Sequence, residues 1–176
     1  VIGIFAVFSF IFVTEIVGVV TSNGHKILFS GKLPHNFKFF LASVFILSMG
    51  NIPLAVLLFR VTDLGLLVAN IPLFYLAYSS TYTLFSVIAG FISDKIGDRK
   101  TILIGYTILS VSYLVFIKSA SGFSLLLAFL LLGCFAAFTD GIQRSYTARL
   151  TNPEERGTAY GFLNAAVGFG LLISGI

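Results

Sequence analysis

The chain alternates long apolar runs with short polar interruptions. A transmembrane helix needs about 20 mostly apolar residues to cross about 30 Å of hydrocarbon. Six runs approach or exceed that length, over residues 1–14 or a little beyond, 37–59, 66–91, 101–117, 122–143 and 153–176. This pattern predicts an all-α fold, a polytopic membrane bundle of six transmembrane helices.

Composition narrows the class of protein. The chain is 57% hydrophobic and only 10% charged, whereas soluble domains carry roughly 25% charged residues. Its single cysteine, Cys134, lies inside an apolar run, which excludes an internal disulfide or a cysteine metal cluster and indicates a packing role. The two histidines, His25 and His35, lie among Lys and Asn, so we expect solvated loop residues and no metal. Without a paired nucleophile and base or a phosphate-binding glycine loop, we expect neither an enzyme nor a cofactor.

The basic residues are distributed unevenly between the two predicted faces of the membrane. If the six helices alternate in direction, Arg60 and Lys118 fall on one face. The other nine fall on the opposite face: Lys26, Lys32, Lys38, Lys95, Arg99, Lys100, Arg144, Arg149 and Arg156. Lys and Arg in short loops favour the cytoplasmic side. Loops 21–36, 93–100 and 144–156 are therefore predicted to be cytoplasmic in a multi-pass protein of the cell membrane. The net charge of +4 reflects topology, and we expect no nucleic-acid partner.

The segment GFISDKIGDRKT, residues 90–101, concentrates charge in this apolar chain. It predicts a very short turn between two antiparallel helices, made by Asp94, Lys95, Gly97, Arg99 and Lys100. Gly90 lies one turn before Asp94 and would let another helix approach closely. Asp94, just beyond that contact, could accept hydrogen bonds from the N-terminus of a neighbouring helix. The turn therefore combines a glycine and a carboxylate that could form a reversible contact with a neighbouring helix.

A second pair of charges lies near the end of the fifth predicted helix. Asp140 and Arg144 are four residues apart and share one helical face. We expect Asp140 to reach Lys95 or Arg99, and Arg144 to reach Asp94. Two interpretations stay open. The contacts could form a latch that closes in one state and opens in another, biasing the equilibrium by a few kcal/mol, or a static cluster that anchors the helix ends.

The third predicted helix carries a stripe of polar and aromatic residues. The stripe consists of Tyr75, Tyr78, Ser79, Tyr82, Thr83, Ser86 and Gly90, at steps of three and four. In lipid, hydroxyl groups favour a protein partner or a wet cavity over hydrocarbon. The stripe, led by Tyr75, Tyr78, Ser79 and Tyr82, therefore either lines a substrate path or packs against neighbouring helices. Asn51 is a further candidate for the path.

Small residues form a row in the sixth predicted helix. Gly157, Gly161 and Ala165 recur at intervals of four. Membrane helices pack closely where such residues meet, so we expect a helix contact there and no binding role. Glu15 has two open interpretations: it lies at the membrane interface if the first helix ends near Thr14, and is an intramembrane carboxylate if the helix continues.

The turn residues carry a family resemblance. The pattern Gly90-x-x-x-Asp94-Lys95-x-Gly97-x-Arg99-Lys100 resembles the loop signature of the major facilitator superfamily, found between the second and third helices and, as a weaker copy, between the eighth and ninth. The segments DGIQR (140–144), PEERGTAYG (153–161) and LPHNFKFFLASVFILSMGNIPLAVLLFR (33–60) are similar to one bacterial and archaeal branch of these permeases. The sequence departs from this pattern at Asp98, where such loops usually carry a basic residue, and at residues 52–54, which are not small and polar.

The resemblance implies an organisation. Residues 1–20 would end helix six of twelve, 21–36 would form the cytoplasmic central loop, and 37–176 would form helices seven to eleven of a truncated C-terminal bundle. The chain would then be truncated at both ends. The implied partners are the lipid bilayer, the missing N-terminal half and a small-molecule substrate. A coupling proton, if one is used, would be carried by the absent half.

The resemblance also implies an activity. We expect a secondary active transporter that moves a small solute by alternating access, present as a fragment. Two other classes stay open: a non-transporting membrane receptor or scaffold with the permease fold, and a homodimeric six-helix transporter.

Overall fold

The computed structural model of the protein describes residues 34–175, and its regular structure is helical. The helices are α1 (His35–Met49), α2 (Leu54–Asp63), α3 (Ile71–Ile96), α4 (Asp98–Lys118), α5 (Gly122–Leu150) and α6 (Arg156–Ser174), with short 3-10 turns at Val68–Asn70 and Pro153–Glu155. The predicted all-α class is confirmed. The first predicted run, Glu15, His25, Lys26, Lys32 and most of the predicted central loop lie outside the described residues.

Five segments of residues 34–175 are long and apolar enough to cross a membrane. They are His35–Asp63, Val68–Ile96, Asp98–Lys118, Gly122–Leu150 and Pro153–Ser174. They coincide with the second to sixth predicted runs. The short connections between them reverse the chain, so consecutive spans are antiparallel.

The first of these spans is interrupted, so the predicted run over residues 37–59 is one membrane span built from two helices instead of one. α1 ends at Met49, and Pro53, with φ −54° and ψ 135°, directly precedes α2. The Tyr113 hydroxyl of α4 accepts a hydrogen bond from the Ile52 amide at 2.8 Å and donates to Asn51 Oδ1 at 3.2 Å. A backbone break inside lipid requires such substitute partners. The break is therefore held by a neighbouring helix.

α5 is the central helix of the bundle, since it packs along both α3 and α4. Small residues permit both contacts. A Cβ added to Gly133 would collide with the backbone of Tyr78 on α3, and one added to Gly105 of α4 would lie 2.7 Å from the Thr139 side chain. Small residues let the backbones of membrane helices approach closely, which improves their van der Waals packing. α3, α4 and α5 consequently form one compact unit.

α6 packs against α1 at a different place from the predicted row of small residues. A Cβ on Gly170 would lie 2.5 Å from Ser48 Cβ, so this glycine makes the close contact. Gly157, Gly161 and Ala165 are exposed, and the two glycines have no other part of residues 34–175 within 4 Å of their Cβ positions. The expected contact at this row is not made within the described chain.

An apolar cluster joins α2 to the three-helix unit at the end of the bundle that carries Arg60 and Lys118. It contains Leu57, Val61, Phe74, Phe116, Leu125, Ala128, Phe129 and Leu132. Phe129 is its centre, with ring centroids 5.2 Å from Phe116 and 5.5 Å from Phe74. The charged turn between α3 and α4 lies at the opposite end.

Candidate functional site

The turn between α3 and α4 forms where the sequence predicted it. α3 ends at Ile96, α4 begins at Asp98, and Gly97 between them has φ 92° and ψ 150°. This region of backbone conformation is essentially restricted to glycine. Gly97 therefore allows the chain to reverse within one residue, which brings the charges on both sides of it close together.

Arg149, in the last turn of α5, joins the two sides of this turn. Its Nη2 atom lies 3.5 Å from Asp94 Oδ1, and its Nε atom lies 3.5 Å from Asp98 Oδ2. One guanidinium thus bridges the end of α3 and the start of α4. The predicted location of residues 90–101 and Arg149 at the same end of the bundle is confirmed by this contact.

The two carboxylates bridged by Arg149 differ in exposure. The side chain of Asp98 is 2% exposed, whereas that of Asp94 is 73% exposed and that of Arg149 is 56% exposed. Asp98 Oδ1 accepts a 2.5 Å hydrogen bond from Ser93 Oγ, but Oδ2 has no hydrogen bond within the described residues. A buried charge without a partner is strongly destabilising. Arg149 therefore neutralises the buried carboxylate of Asp98 and also forms an exposed ion pair with Asp94. We call Asp94–Arg149 the outer pair.

We call Ser93, Asp94, Asp98 and Arg149 the turn cluster. Sequence reasoning missed three of its members: Ser93, Asp98 and Arg149. Asp98 was noted only because it departs from the expected basic residue, and Arg149 was used only for topology. A signal for both exists in the sequence: a carboxylate placed where a cation is usual needs a cation from elsewhere, and Arg149 is the last charged residue of α5.

The predicted partners of the turn are wrong in this structure. The ion pairs within 4 Å in residues 34–175 do not join Asp140 to Lys95 or Arg99, or Arg144 to Asp94. The reason is axial position. Asp140 lies nine residues before Arg149, about 14 Å along the helix at 1.5 Å per residue, so it lies too far from the end of α5 to reach the turn.

Arg99 has an aromatic partner instead of the predicted carboxylate. Its Nε donates a hydrogen bond to the Tyr146 hydroxyl, and its guanidinium carbon lies 5.6 Å from the centre of the Tyr146 ring. The ring is also in edge contact with Phe40 of α1, with centroids 4.9 Å apart. Tyr146 thus fixes the Arg99 side chain at the boundary between α1, α4 and α5.

Gly90 lies in α3 with open space beside it. No atom of residues 34–175 outside its own surroundings lies within 4 Å of a Cβ built there. Neither α4 nor α5 therefore makes the close helix contact that the sequence predicts for this glycine. That contact stays a prediction for the rest of the protein.

The structure brings the three tyrosines of the predicted stripe into a ladder. The ring centroids of Tyr75 and Tyr78 are 6.2 Å apart, and those of Tyr78 and Tyr82 are 6.4 Å apart with planes 9° from parallel. The Thr83 hydroxyl donates to the carbonyl of half-buried Ser79. Asn51 is bonded to Tyr113 on α4. A role of these residues in a substrate path stays a prediction.

Comparison with known proteins decides the family. The profile described as Major Facilitator Superfamily matches residues 39–176, more than half of the chain. The chain belongs to the Major Facilitator Superfamily. Members of this superfamily are membrane transporters rather than enzymes, so the chain is part of a multi-pass membrane protein.

Two relatives show how similar the chain is to known transporters and how much of their length it covers. An uncharacterised MFS-type transporter from Methanocaldococcus jannaschii is 31% identical over 142 residues, which cover 77% of this chain and 36% of the relative. Multidrug resistance protein 2 from Bacillus subtilis is 29% identical over 145 residues, covering 74% of this chain and 35% of the relative. The chain thus spans about a third of the length of each of these relatives.

Proposed function

We propose that this chain is helices six to eleven of a twelve-helix secondary transporter, which moves a small solute by alternating access. Membership of the superfamily and the five apolar spans of residues 34–175 support a transporter. The one-third coverage of the relatives supports a longer whole protein, and we propose that its missing part includes the N-terminal half. The proposal also includes membership of the bacterial and archaeal branch and a location in the cell membrane. A coupling proton, if one is used, would be carried by the missing half.

The turn cluster is proposed to act as the conformational latch. The observation that carries this is the bridge from Arg149 to Asp94 and Asp98 across Gly97. Exposed ion pairs contribute about 0–1 kcal/mol, which is small enough for the Asp94 pair to break during each transport cycle. Asp98 is buried and stays paired, so it would keep the turn intact while the outer pair opens.

The latch is proposed to face the cytoplasm. Seven cations of the described residues lie at the end of the bundle that carries the turn: Lys38, Lys95, Arg99, Lys100, Arg144, Arg149 and Arg156. Arg60 and Lys118 lie at the opposite end. An excess of Lys and Arg marks cytoplasmic loops, which supports this orientation.

The surface next to the latch supports a contact with the missing half. Gly90 lies in open space within one turn of Asp94, and small residues of this kind are where membrane helices meet. In transporters built from repeats, the substrate site lies between the halves near the middle of the membrane. The tyrosine ladder in the first half of α3, which ends near the middle of that helix at Tyr82, is therefore the proposed lining of the site.

The cargo proposed for the first experiments is an amphipathic organic compound. One relative is named a multidrug resistance protein. The faces of Tyr75, Tyr78 and Tyr82 offer stacking and cation–π contacts to planar or cationic compounds. This support comes from a relative and from the aromatic ladder together.

The transport activity is tested with the full-length protein in proteoliposomes. We expect gradient-driven flux of at least one compound from a panel of organic cations and dyes. Empty liposomes and liposomes with an unrelated membrane protein give the background. No flux above background for the whole panel would favour the receptor or scaffold class.

The latch is tested by Asp94→Asn in a background without other cysteines. A reporter cysteine at Ser86, exposed on α3 two turns before Asp94, measures opening by its labelling rate. Loss of a pair worth up to about 1 kcal/mol should raise labelling by up to about fivefold. The matched control is Asp63→Asn, which removes the 3.8 Å pair with Arg60 at the other end. Equal labelling in both variants and the parent would leave only the anchor interpretation.

A further inference from the structure

Asp140 is a carboxylate inside the membrane-spanning part of the bundle. It lies nine residues before Arg149 on α5, which is about 14 Å along the helix. The adjacent Thr139 lies against Gly105, which is about 10 Å beyond the first residue of α4. Since half of a hydrocarbon core is about 15 Å thick, both helices place Asp140 well below the lipid head groups. Charged side chains at such a depth are costly and mark functional sites.

The described chain gives Asp140 no fixed ion pair. No cation of residues 34–175 lies within 4 Å of its carboxylate, and its hydrogen bond from the Thr139 hydroxyl is long, at 3.5 Å. Arg144 lies on the same helical face, one turn nearer the end of the bundle that carries the turn, and its charge acts on Asp140. Asp140 and Arg144 therefore form a neutral pair of charges whose direct contact is open in this structure.

This pair is balanced without a further cation from the rest of the protein. Ionisable groups within membrane spans pair with one another, and a permanent cation from a missing helix would leave Arg144 without its partner. A mobile cation keeps the charges balanced in both states, because Arg144 can pair with Asp140 while the cation is absent. When the cation is present, the long Arg144 side chain can turn toward the head groups.

Aromatic rings lie next to the position that this mobile cation would take. Asp140 is close enough to Tyr78 of α3 and Tyr106 of α4 for its charge to act on both hydroxyl groups. Tyr106 accepts a 3.3 Å hydrogen bond from the buried Gln143 side chain, and the Tyr78 ring is stacked with Tyr82. Aromatic faces attract both cations and apolar rings. A carboxylate beside ordered tyrosines therefore matches an organic cation.

We propose that Asp140 binds the positive charge of an organic cation, which lies against Tyr78 and Tyr106 and displaces Arg144 as the counter-ion. Arg144 returns to the carboxylate when the cation leaves, so the site is never left with an isolated charge. This inference rests on the proposed transport function, because it names the charge class of the cargo and the residue that selects it. It gives Asp140 and Arg144 a different role from the latch that their spacing predicted.

Equilibrium binding to the full-length protein in detergent tests the proposal. The probes are tetraphenylphosphonium, a permanent organic cation, and triphenylphosphine oxide, a neutral compound that also carries phenyl rings. Asp140→Asn should weaken binding of tetraphenylphosphonium by about tenfold, the ratio for one charge-assisted contact, and leave binding of the neutral compound unchanged. Asp140→Glu should keep most of the affinity for the cation. Asp63→Asn removes a carboxylate at the opposite end of the bundle and should change neither affinity.

Arg144 provides a second test with an effect of the opposite sign. Arg144→Gln removes the competing cation, so it should tighten binding of tetraphenylphosphonium by about twofold, the ratio for an ion pair between residues four apart on a helix. Arg156→Gln removes an exposed cation of α6 at the same end of the bundle, and it should leave this affinity unchanged. Equal tightening in both variants would indicate a general effect of positive charge and would contradict the exchange of counter-ions.

Several further results would overturn the proposal. Tetraphenylphosphonium that does not bind to the parent, or binds equally well to Asp140→Asn, would remove Asp140 from a cation site. Equal losses for both probes would indicate a change of shape rather than of charge. A lower melting temperature of ligand-free Asp140→Asn would indicate a permanent ion pair with a cation of the missing half.

The binding measurements and the flux measurements fail separately. Cation binding that depends on Asp140, without flux of any compound, would contradict the proposed transport but keep the cation site. Flux that is the same in the parent and in Asp140→Asn would keep the transport function, and it would contradict the role of Asp140 in selecting the cargo.

Discussion

The crossing of α3 with α5 and the turn cluster join the same helices by different forces. At the crossing, Gly133 lies against the backbone of Tyr78, and a second contact near Ala89 and Ala137 is fully apolar. At the turn, Arg149 makes two ion pairs of 3.5 Å while more than half of its side chain is exposed. The α3–α5 crossing is thus a buried steric contact, whereas the turn cluster is an electrostatic contact that is partly exposed to solvent.

This difference indicates which parts of the bundle can separate. A steric contact between backbones has no alternative partner, and it holds at any ionic strength. An exposed ion pair exchanges its partner for water at a cost of about 0–1 kcal/mol. α3 and α5 should therefore move together as one body, while the outer pair at the turn opens and closes.

The largest expected effect is at the crossing. Gly133→Ala places a methyl group into the Tyr78 backbone, and overpacking of this kind costs about 1–3 kcal/mol. Gly141→Ala is the matched control on the same helix, because the Cβ position of Gly141 has open space in the described residues. The melting temperature of the full-length protein in detergent should be lower for Gly133→Ala than for the parent. For Gly141→Ala it should be unchanged or higher. Equal melting temperatures for the two variants would mean that the crossing is not close-packed.

The next effect is at the turn backbone. Gly97→Ala forces a side chain into a conformation with φ 92° and ψ 150°, which costs about 1–3 kcal/mol. Gly90→Ala, inside α3 and next to open space, should not reduce the stability of the described bundle. If Gly90→Ala nevertheless impairs transport, the glycine contacts a helix from the rest of the protein. Unfolding experiments on both variants separate the two roles, and a similar loss of stability in both would contradict the assignment of strain to Gly97.

Local pattern was sufficient for the elements of this fold. The apolar runs located the five described spans, and Gly97 with its flanking charges located the α3–α4 turn. These features depend on residues close in sequence. The exception is the interruption between Met49 and Leu54, because a proline within an apolar run is compatible with a kink as well as with a break. The break also depends on Tyr113, which is about sixty residues away in sequence.

The contacts between helices could not be derived in the same way. Helical spacing places Asp140 and Arg144 on one face, but it does not give the axial offset of α5 relative to α3. That offset brings Arg149 to the turn and leaves Asp140 deeper. The same limit applies to glycines, since spacing does not reveal that Gly170 is covered by α1 while Gly157 is exposed.

The smallest expected effect, and the sharpest test of the turn cluster, is a double-mutant cycle on Arg149 and Asp98. Arg149→Gln leaves the buried Asp98 carboxylate without its cation and should destabilise the protein by about 1–2 kcal/mol. Asp98→Asn added to Arg149→Gln should restore part of that loss, because a neutral amide needs no counter-ion and can still bond Ser93. The single and double variants are compared by thermal unfolding in detergent.

Arg144→Gln is the matched control for this cycle. Arg144 is exposed on the same helix, and no carboxylate of residues 34–175 pairs with it within 4 Å. Its removal should change stability by less than about 0.5 kcal/mol, as for most surface substitutions. If Arg144→Gln and Arg149→Gln are equally harmful, or if the effect of Arg149→Gln simply adds to that of Asp98→Asn, then the charge at the end of α5 acts diffusely. In that case the turn would be held by Gly97 and packing alone, and the contrast with the α3–α5 crossing would disappear.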